Sequence, residues 1–232
     1  MTAPLILACD TTQGACSAAL YQSGVLAARL TPMREGHAEA LIPMIEAVMD
    51  EAGIAMAAID RLAVTHGPGT FTGTRVGLSA MRGLALALDK PLKAYSSLAA
   101  MALAAEAAAF DGPLLVAVDA RRDVFYAQGF DAQRHALGAP QALSAEAALA
   151  LMGDGAFGLI GSGATAVHAE AEKRGRKAYI LAAPDWPQAE NLAQLAARDE
   201  AWEAPALPSP LYLRPPDATL PNREKFPARA KS

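Results

Sequence analysis

The feature that most constrains the fold is an order of hydrophobic periodicities that occurs twice. Three short apolar runs come first: "LILACD" (5–10), "CSAALYQ" (16–22) and "VLAARLT" (25–31). Turn residues at Gly14 and at Ser23-Gly24 separate them, which predicts an antiparallel meander. The period then changes. In "HAEALIPMIEAVMDEAG" (37–53), Leu41, Met44, Ile45, Val48, Met49 and Ala52 follow helical spacing, and Gly53 is a natural stop. Pro43 removes one backbone donor inside that pattern and predicts a late helix start or a kink. A strand at 59–65, a helix at 73–88, a strand at 92–95 and an Ala-rich helix at 97–109 complete this half.

The second half repeats the order. Strands are expected at 113–119 and 124–130, with a short third at 139–143. Helices at about 144–152, 163–174 and 188–200 then alternate with strands at 157–161 and 178–182. Each half reads βββαβαβα. Each first strand ends in an aspartate, Asp10 or Asp119, and each fourth strand meets its helix through a Gly-rich turn, "HGPGTFTG" or "GSGA". The expected fold class is therefore α/β, with two similar lobes that each hold a mixed sheet. The expected boundaries are 1–100 and 101–213, followed by a Pro-rich tail at 214–232. This layout resembles the actin-like and ribonuclease-H-like (ASKHA) folds, whose nucleotide lies between the lobes.

Composition narrows the function. Hydrophobic residues make up 53% of the 232 residues and charged residues 19%, ample for a packed core. No run reaches the ~18 apolar residues that suggest a membrane span. The opening "MTAPLILACD" has no basic start and no long apolar stretch, against a signal peptide. Cys9 and Cys16 alone suit a reducing, cytoplasmic setting, with no membrane contact expected. A net charge of −4 argues against strong stand-alone binding to nucleic acid, which relies on Lys and Arg. The tail carries five cations against two acids; a solvated tail or a contact with RNA phosphates would both fit.

"HGPGTFTGTRVG" (66–77) invites a nucleotide reading. A Walker A loop needs Lys-Ser/Thr after its last glycine, and here Thr74-Arg75 follows Gly73. A dinucleotide loop needs G-x-G-x-x-G, and Gly67, Gly69 and Gly73 are one residue too far apart. A helix N-terminus flanked by Asp10, Thr11, Thr12, Gly67, Gly69, Thr70, Thr72 and Arg75 could still receive an anion. The plainer alternative is a tight strand-to-helix turn capped by Thr72. Small residues at Gly73, Gly77 and Ala80 run along one side of the helix, as where another backbone approaches closely. That neighbour could be the helix at 37–53 or a helix of another subunit. On the second reading, a Leu at position 77 would break the contact and leave the monomer folded.

No metal or nucleophile pattern emerges. His37, His66, His135 and His168 form no H-E-x-x-H, and there is no G-x-S-x-G elbow. Asp10 before "TTQG" resembles the first phosphate loop of actin-like folds, but a lone Asp after a strand also caps turns.

The central stretch "HGPGTFTGTRVGLSAMRGLALALDKPL" resembles the G-P-G-S-F-T-G-L-R-I-G segment of the TsaB (YeaZ) branch of the glycoprotease-like family. "ILACDTTQGACSAAL", "VDARRDVFYA" (118–127) and "PLYLRPPDA" (210–218) match further landmarks in order, so the resemblance spans nearly the whole chain. Thr70 stands where Ser is usual. Thr74 stands where Leu or Val is usual, a change that could alter an interface contact. The catalytic relative TsaD carries an H-x-x-x-H metal motif after this helix; register puts Ser97 and Met101 of "YSSLAAMAL" at those positions.

The resemblance therefore implies a subunit without catalytic residues, metal or cofactor of its own. ATP or ADP and a metal ion would belong to its partner proteins. The implied role is to bind and activate TsaD, which transfers a threonylcarbamoyl group from threonylcarbamoyl-AMP to adenosine beside the anticodon of tRNA. TsaE, an ATPase, and a second copy of the chain are further implied partners, and tRNA is met only through the complex. The resemblance places the shared interface on the helices after residues 36 and 72, with Leu41, Met44, Ile45, Val48, Gly73, Val76, Gly77, Ala80, Met81 and Leu84 as its candidates. An actin-like ATPase or kinase and a metallopeptidase are the alternatives.

Overall fold

Two five-stranded mixed sheets organise the chain, in a computed structural model that describes residues 3–104, 110–202 and 207–214. The first half contains β1 (Ile6–Asp10), β2 (Ala15–Tyr21), β3 (Val25–Pro32), α1 (His37–Ala52), β4 (Arg61–Thr65), α2 (Phe71–Leu88), β5 (Leu92–Tyr95) and α3 (Ser97–Ala104). The second contains β6 (Leu114–Asp119), β7 (Phe125–Phe130), β8 (Gln141–Leu143), α4 (Ala145–Leu149), β9 (Phe157–Ile160), α5 (Ala164–Lys173), β10 (Ala178–Ile180) and α6 (Ala189–Arg198). The sheet orders are β3-β2-β1-β4-β5 and β10-β9-β6-β7-β8. Read from the meander edge, these are the same order, with one antiparallel and one parallel neighbour for each central strand. The doubled topology is the actin-like one.

Alternation along β1 sets the layers. Leu7 and Cys9 point to one face and join Leu41, Ile45 and Val48 of α1 and Leu78 and Met81 of α2. Ile6 and Ala8 point to the other and meet Leu192, Ala193 and Ala196 of α6. The alanines at 8, 19 and 63 let α6 lie close to the strands. In the second sheet, Leu115 and Ala117 face α4 and α5, whereas Leu114 and Val116 face Leu98, Met101 and Ala102 of α3. Thus α3 and α6 fill the space between the sheets. The boundary expected between residues 100 and 101 falls inside α3, and α6, from the second half, covers the first sheet.

Three local expectations need correction. Helix α1 begins at His37 and carries Pro43 within it. Both Glu39 and Pro43 are exposed, so water can serve the carbonyl that the missing N–H leaves free. Helix α2 begins at Phe71 rather than 73, and its cap is Thr70, not Thr72. Thr70 is extended and its Oγ1 accepts the Gly73 N–H at 3.2 Å, the three-residue reach of an N-cap. Residues 105–109 of the expected third helix, and all of the tail after Arg214, lie outside the described residues.

Candidate functional site

The structure brings Asp10, Thr11, Thr12, Gly69, Thr70 and Gly73 together where the β1–β2 turn meets the start of α2. They bond to one another. Thr70 N–H donates to the Thr12 carbonyl at 2.7 Å, and the Thr11 hydroxyl donates to the Gly73 carbonyl at 2.6 Å. The N–H groups of Gly73 and Thr74 are taken by the side chain and carbonyl of Thr70. The chain's own oxygens thus take the Thr70, Gly73 and Thr74 N–H groups. Thr72 and Arg75 of the candidate set are exposed and lie away from this cluster, while Gly67 packs under the Leu211 carbonyl.

The glycines explain the closeness. A Cβ at Gly73 would collide with the Thr11 carbonyl, and one at Gly77 would lie 2.7 Å from the Thr11 hydroxyl. The small-residue side of α2 is therefore filled by the β1–β2 turn of the same lobe. At Gly73 and Gly77 the neighbour is this turn rather than α1, while Ala80 lines the groove between α1 and α2. A larger residue at 77 strains the monomer itself. Thr74 is also buried, and its hydroxyl donates to the Thr70 carbonyl at 2.8 Å, so it is not at an outer surface.

Asp10 is fully buried. Its Oδ1 accepts from the Thr12 N–H, the Thr12 hydroxyl and the Thr65 hydroxyl, while Oδ2 has no partner. Burial pushes its carboxyl up to about 6, against the opposing pull of those hydrogen bonds. Burial likewise lowers the pKa of His66, opposed by the Ser209 carbonyl at its Nδ1.

Ser97 and Met101 lie one turn apart on α3 and are buried. Ser97 Oγ donates to the Pro68 carbonyl at 2.6 Å, tying the Gly-rich loop down, and Met101 belongs to the core between the sheets. Among the described residues, no three His, Cys, Asp or Glu side chains gather as a metal site. His37 is buried against the Gln13 carbonyl, and His135 and His168 pair with Asp131 and Glu172 on their own turns.

A different feature remains open. Between α1 and α2 runs a groove of about 450 Å³, lined by Ala38, Leu41, Ile42, Phe71, Thr72, Arg75, Val76, Ser79 and Ala80. Of the ten expected interface residues, Leu41, Val76 and Ala80 line it. Met44, Ile45, Val48, Gly73, Gly77 and Met81 are buried on the inward side and Leu84 is half-buried. The pattern that nominated them marks the core stripe of each helix. The sequence reading missed Ile42 and Phe71, which are 41% and 39% exposed. Their signal was an apolar residue standing off that stripe.

Comparisons agree on relationship. The family described as "TsaD: tRNA N6-adenosine threonylcarbamoyltransferase" matches residues 31–181. The chain is 36% identical over 124 residues to the tRNA threonylcarbamoyladenosine biosynthesis protein TsaB of Escherichia coli, covering 53% of this chain and 54% of that protein. It thus spans about half the length of the curated relatives it matches first. It is 49% identical over 72 residues to a tRNA N6-adenosine threonylcarbamoyltransferase of Erythrobacter litoralis, covering 31% of this chain and 21% of that one. The solved structure of YeaZ from Pseudomonas aeruginosa superposes with a TM-score of 0.78 at 32% identity, covering 90% of this chain and all of that one.

Proposed function

The chain belongs to the TsaB (YeaZ) branch of the TsaD family, and from that premise we propose that it is a docking subunit for tRNA threonylcarbamoyladenosine formation. It binds the TsaD-type transferase and holds it in its active arrangement. The paralogue supplies the metal-dependent chemistry that moves the threonylcarbamoyl group from threonylcarbamoyl-AMP onto N6 of adenosine. This chain supplies no reacting group and no cofactor. The observation that carries the reading is the contrast between a Gly-rich turn bonded to itself and an open apolar groove between α1 and α2. Ile42 and Phe71 offer the groove the apolar anchors that dominate binding energy at protein interfaces. Without the paralogue, the same face pairs with a second copy, so homodimer and heterodimer compete. TsaE joins the assembly, ATP or ADP and the metal stay with the partners, and all act in the cytoplasm.

Mass action makes the reading testable. Ile42→Arg puts a charge in the groove while touching nothing buried. It is expected to cut capture of the purified paralogue by about a hundredfold, the effect of losing one interface hot spot, with the thermal midpoint unchanged. Capture at wild-type strength would remove the groove from the reading. In a reconstituted tRNA modification assay, leaving this chain out should abolish product; undiminished product would sink the functional claim.

A further inference from the structure

The segment 208–214 follows α6 and contains no helix or strand, yet every stretch of it is anchored. Arg82 on α2 donates to the Pro208 carbonyl, and His66 Nδ1 lies 3.2 Å from the Ser209 carbonyl. Leu211 N–H donates to the His66 carbonyl at 2.8 Å, and the Leu211 carbonyl lies over Gly67, where a Cβ would approach it to 2.9 Å. Tyr212 then reaches the rim of the groove. Its ring stacks on Phe71 at 5.3 Å, its hydroxyl accepts from Arg75 Nε at 2.8 Å, and the Arg75 guanidinium lies 3.6 Å over Phe71. Two residues on, Arg214 leaves the first sheet's territory. Its Nη1 donates to the Ala120 carbonyl at 2.7 Å and the Arg121 carbonyl at 3.3 Å, both in the β6–β7 turn.

We propose that residues 208–214 are an inter-lobe clasp, which ties the Gly-rich loop and the outer face of α2 to the β6–β7 turn so that the two lobes move as one body. The anchors differ in kind: main-chain pairing at His66, an aromatic–guanidinium stack at Phe71 and Arg75, and a charged donor on carbonyls at Arg214. A short segment between them has little slack, since even fully extended chain spans only ~3.3–3.6 Å per residue. Loosening one end therefore frees the other. The inference goes beyond the docking reading and holds whatever the groove binds.

Hydrogen exchange on the full chain tests it without a partner. Arg214→Ala removes only the anchor on the second lobe. Tyr212→Ala removes the first-lobe anchor nearest to Arg214 and leaves those at Arg82 and His66. A clasp predicts crossed effects, each about tenfold, the size expected from losing one or two net hydrogen bonds. Arg214→Ala speeds exchange of the Leu211 amide, and Tyr212→Ala speeds exchange of the Ala120 amide, which bonds to the Val124 carbonyl. Exchange in β1 serves as the reporter of global stability and should not change. Tyr212→Phe keeps the stack and loses only the hydroxyl, so it gives a smaller crossed effect with the packing intact. If each variant speeds exchange only at its own anchor, or Tyr212→Phe and Tyr212→Ala both leave Ala120 unchanged, the clasp is overturned.

Discussion

The two lobes share one strand order but treat the end of the central strand in opposite ways. In the first, Asp10 is sealed beneath the β4–α2 loop, with three donors on one oxygen. In the second, Asp119 stands at the same topological position and is exposed, and its Oδ1 accepts the Arg121 N–H at 2.7 Å. The turn beyond it runs through Arg121, Arg122 and Asp123, all with left-handed φ near 60° (66°, 56° and 56°). Both Gly-rich turns press on a carbonyl: that of Thr12 at Gly69, that of Ala117 at Gly161. The second contact falls inside the strand, before the aspartate, and the Asp119 side chain stays exposed. Repetition has preserved the apolar pattern that dictates sheet order, while turn residues decide whether a site exists at all.

That comparison can be broken by substitution. The largest effect is expected at Gly73→Val, where the new side chain must displace the Thr11 backbone. A loss of about 4 kcal/mol in chemical denaturation is predicted, at the upper end for point variants. Gly83, on the same helix with nothing within 4 Å, is its control, and Gly83→Ala should gain up to ~1 kcal/mol. A tolerated Gly73→Val would mean the turn does not rest on α2. Next comes Leu192→Ala on α6, with about 3 kcal/mol lost from a fully buried site facing the first sheet. An effect below ~1 kcal/mol would show that the second half contributes little to covering that sheet.

Asp10 gives the first lobe a pH signature. Its folded pKa lies above its ordinary value of 3.8, at about 6. The native state therefore binds the extra proton, so this contribution is complete below about pH 4 and is lost as pH rises through about 6. Asp10→Asn imitates the protonated form. Relative to wild type it should gain on the order of 2–3 kcal/mol between pH 4 and pH 7.5, measured as a difference of denaturation midpoints. A flat difference would deny the burial cost. Smallest of all, Asp119→Asn should move stability by less than ~0.5 kcal/mol, as for an exposed turn.

Most of the fold was legible because alternation and helical spacing record which face of an element is buried. Both meanders, the βββαβαβα order and the core stripe of α1 were readable in that way. The site was less so. Small residues at 73 and 77 announce a close approach without naming the neighbour, and Thr11 lies 62 residues from Gly73. Thr70 and Thr72 offer the same hydroxyl, and only the extended conformation at 70 selects the cap. The segment at 208–214 has no period, because its anchors are single residues spread over both lobes. Ile42 and Phe71 were passed over because a core-seeking pattern discards apolar residues that stand off it.

The placement of α6 has a consequence for how the protein is made. A ribosome completes β1 to β5 with residue 95, yet one face of that sheet lacks its main cover, α6, until Arg198 has emerged. For roughly a hundred residues of synthesis, Ile6, Ala8 and Ala63 wait for a helix not yet translated. A chain stopped within that interval keeps a complete sheet with a bare face, ready to stick to another copy.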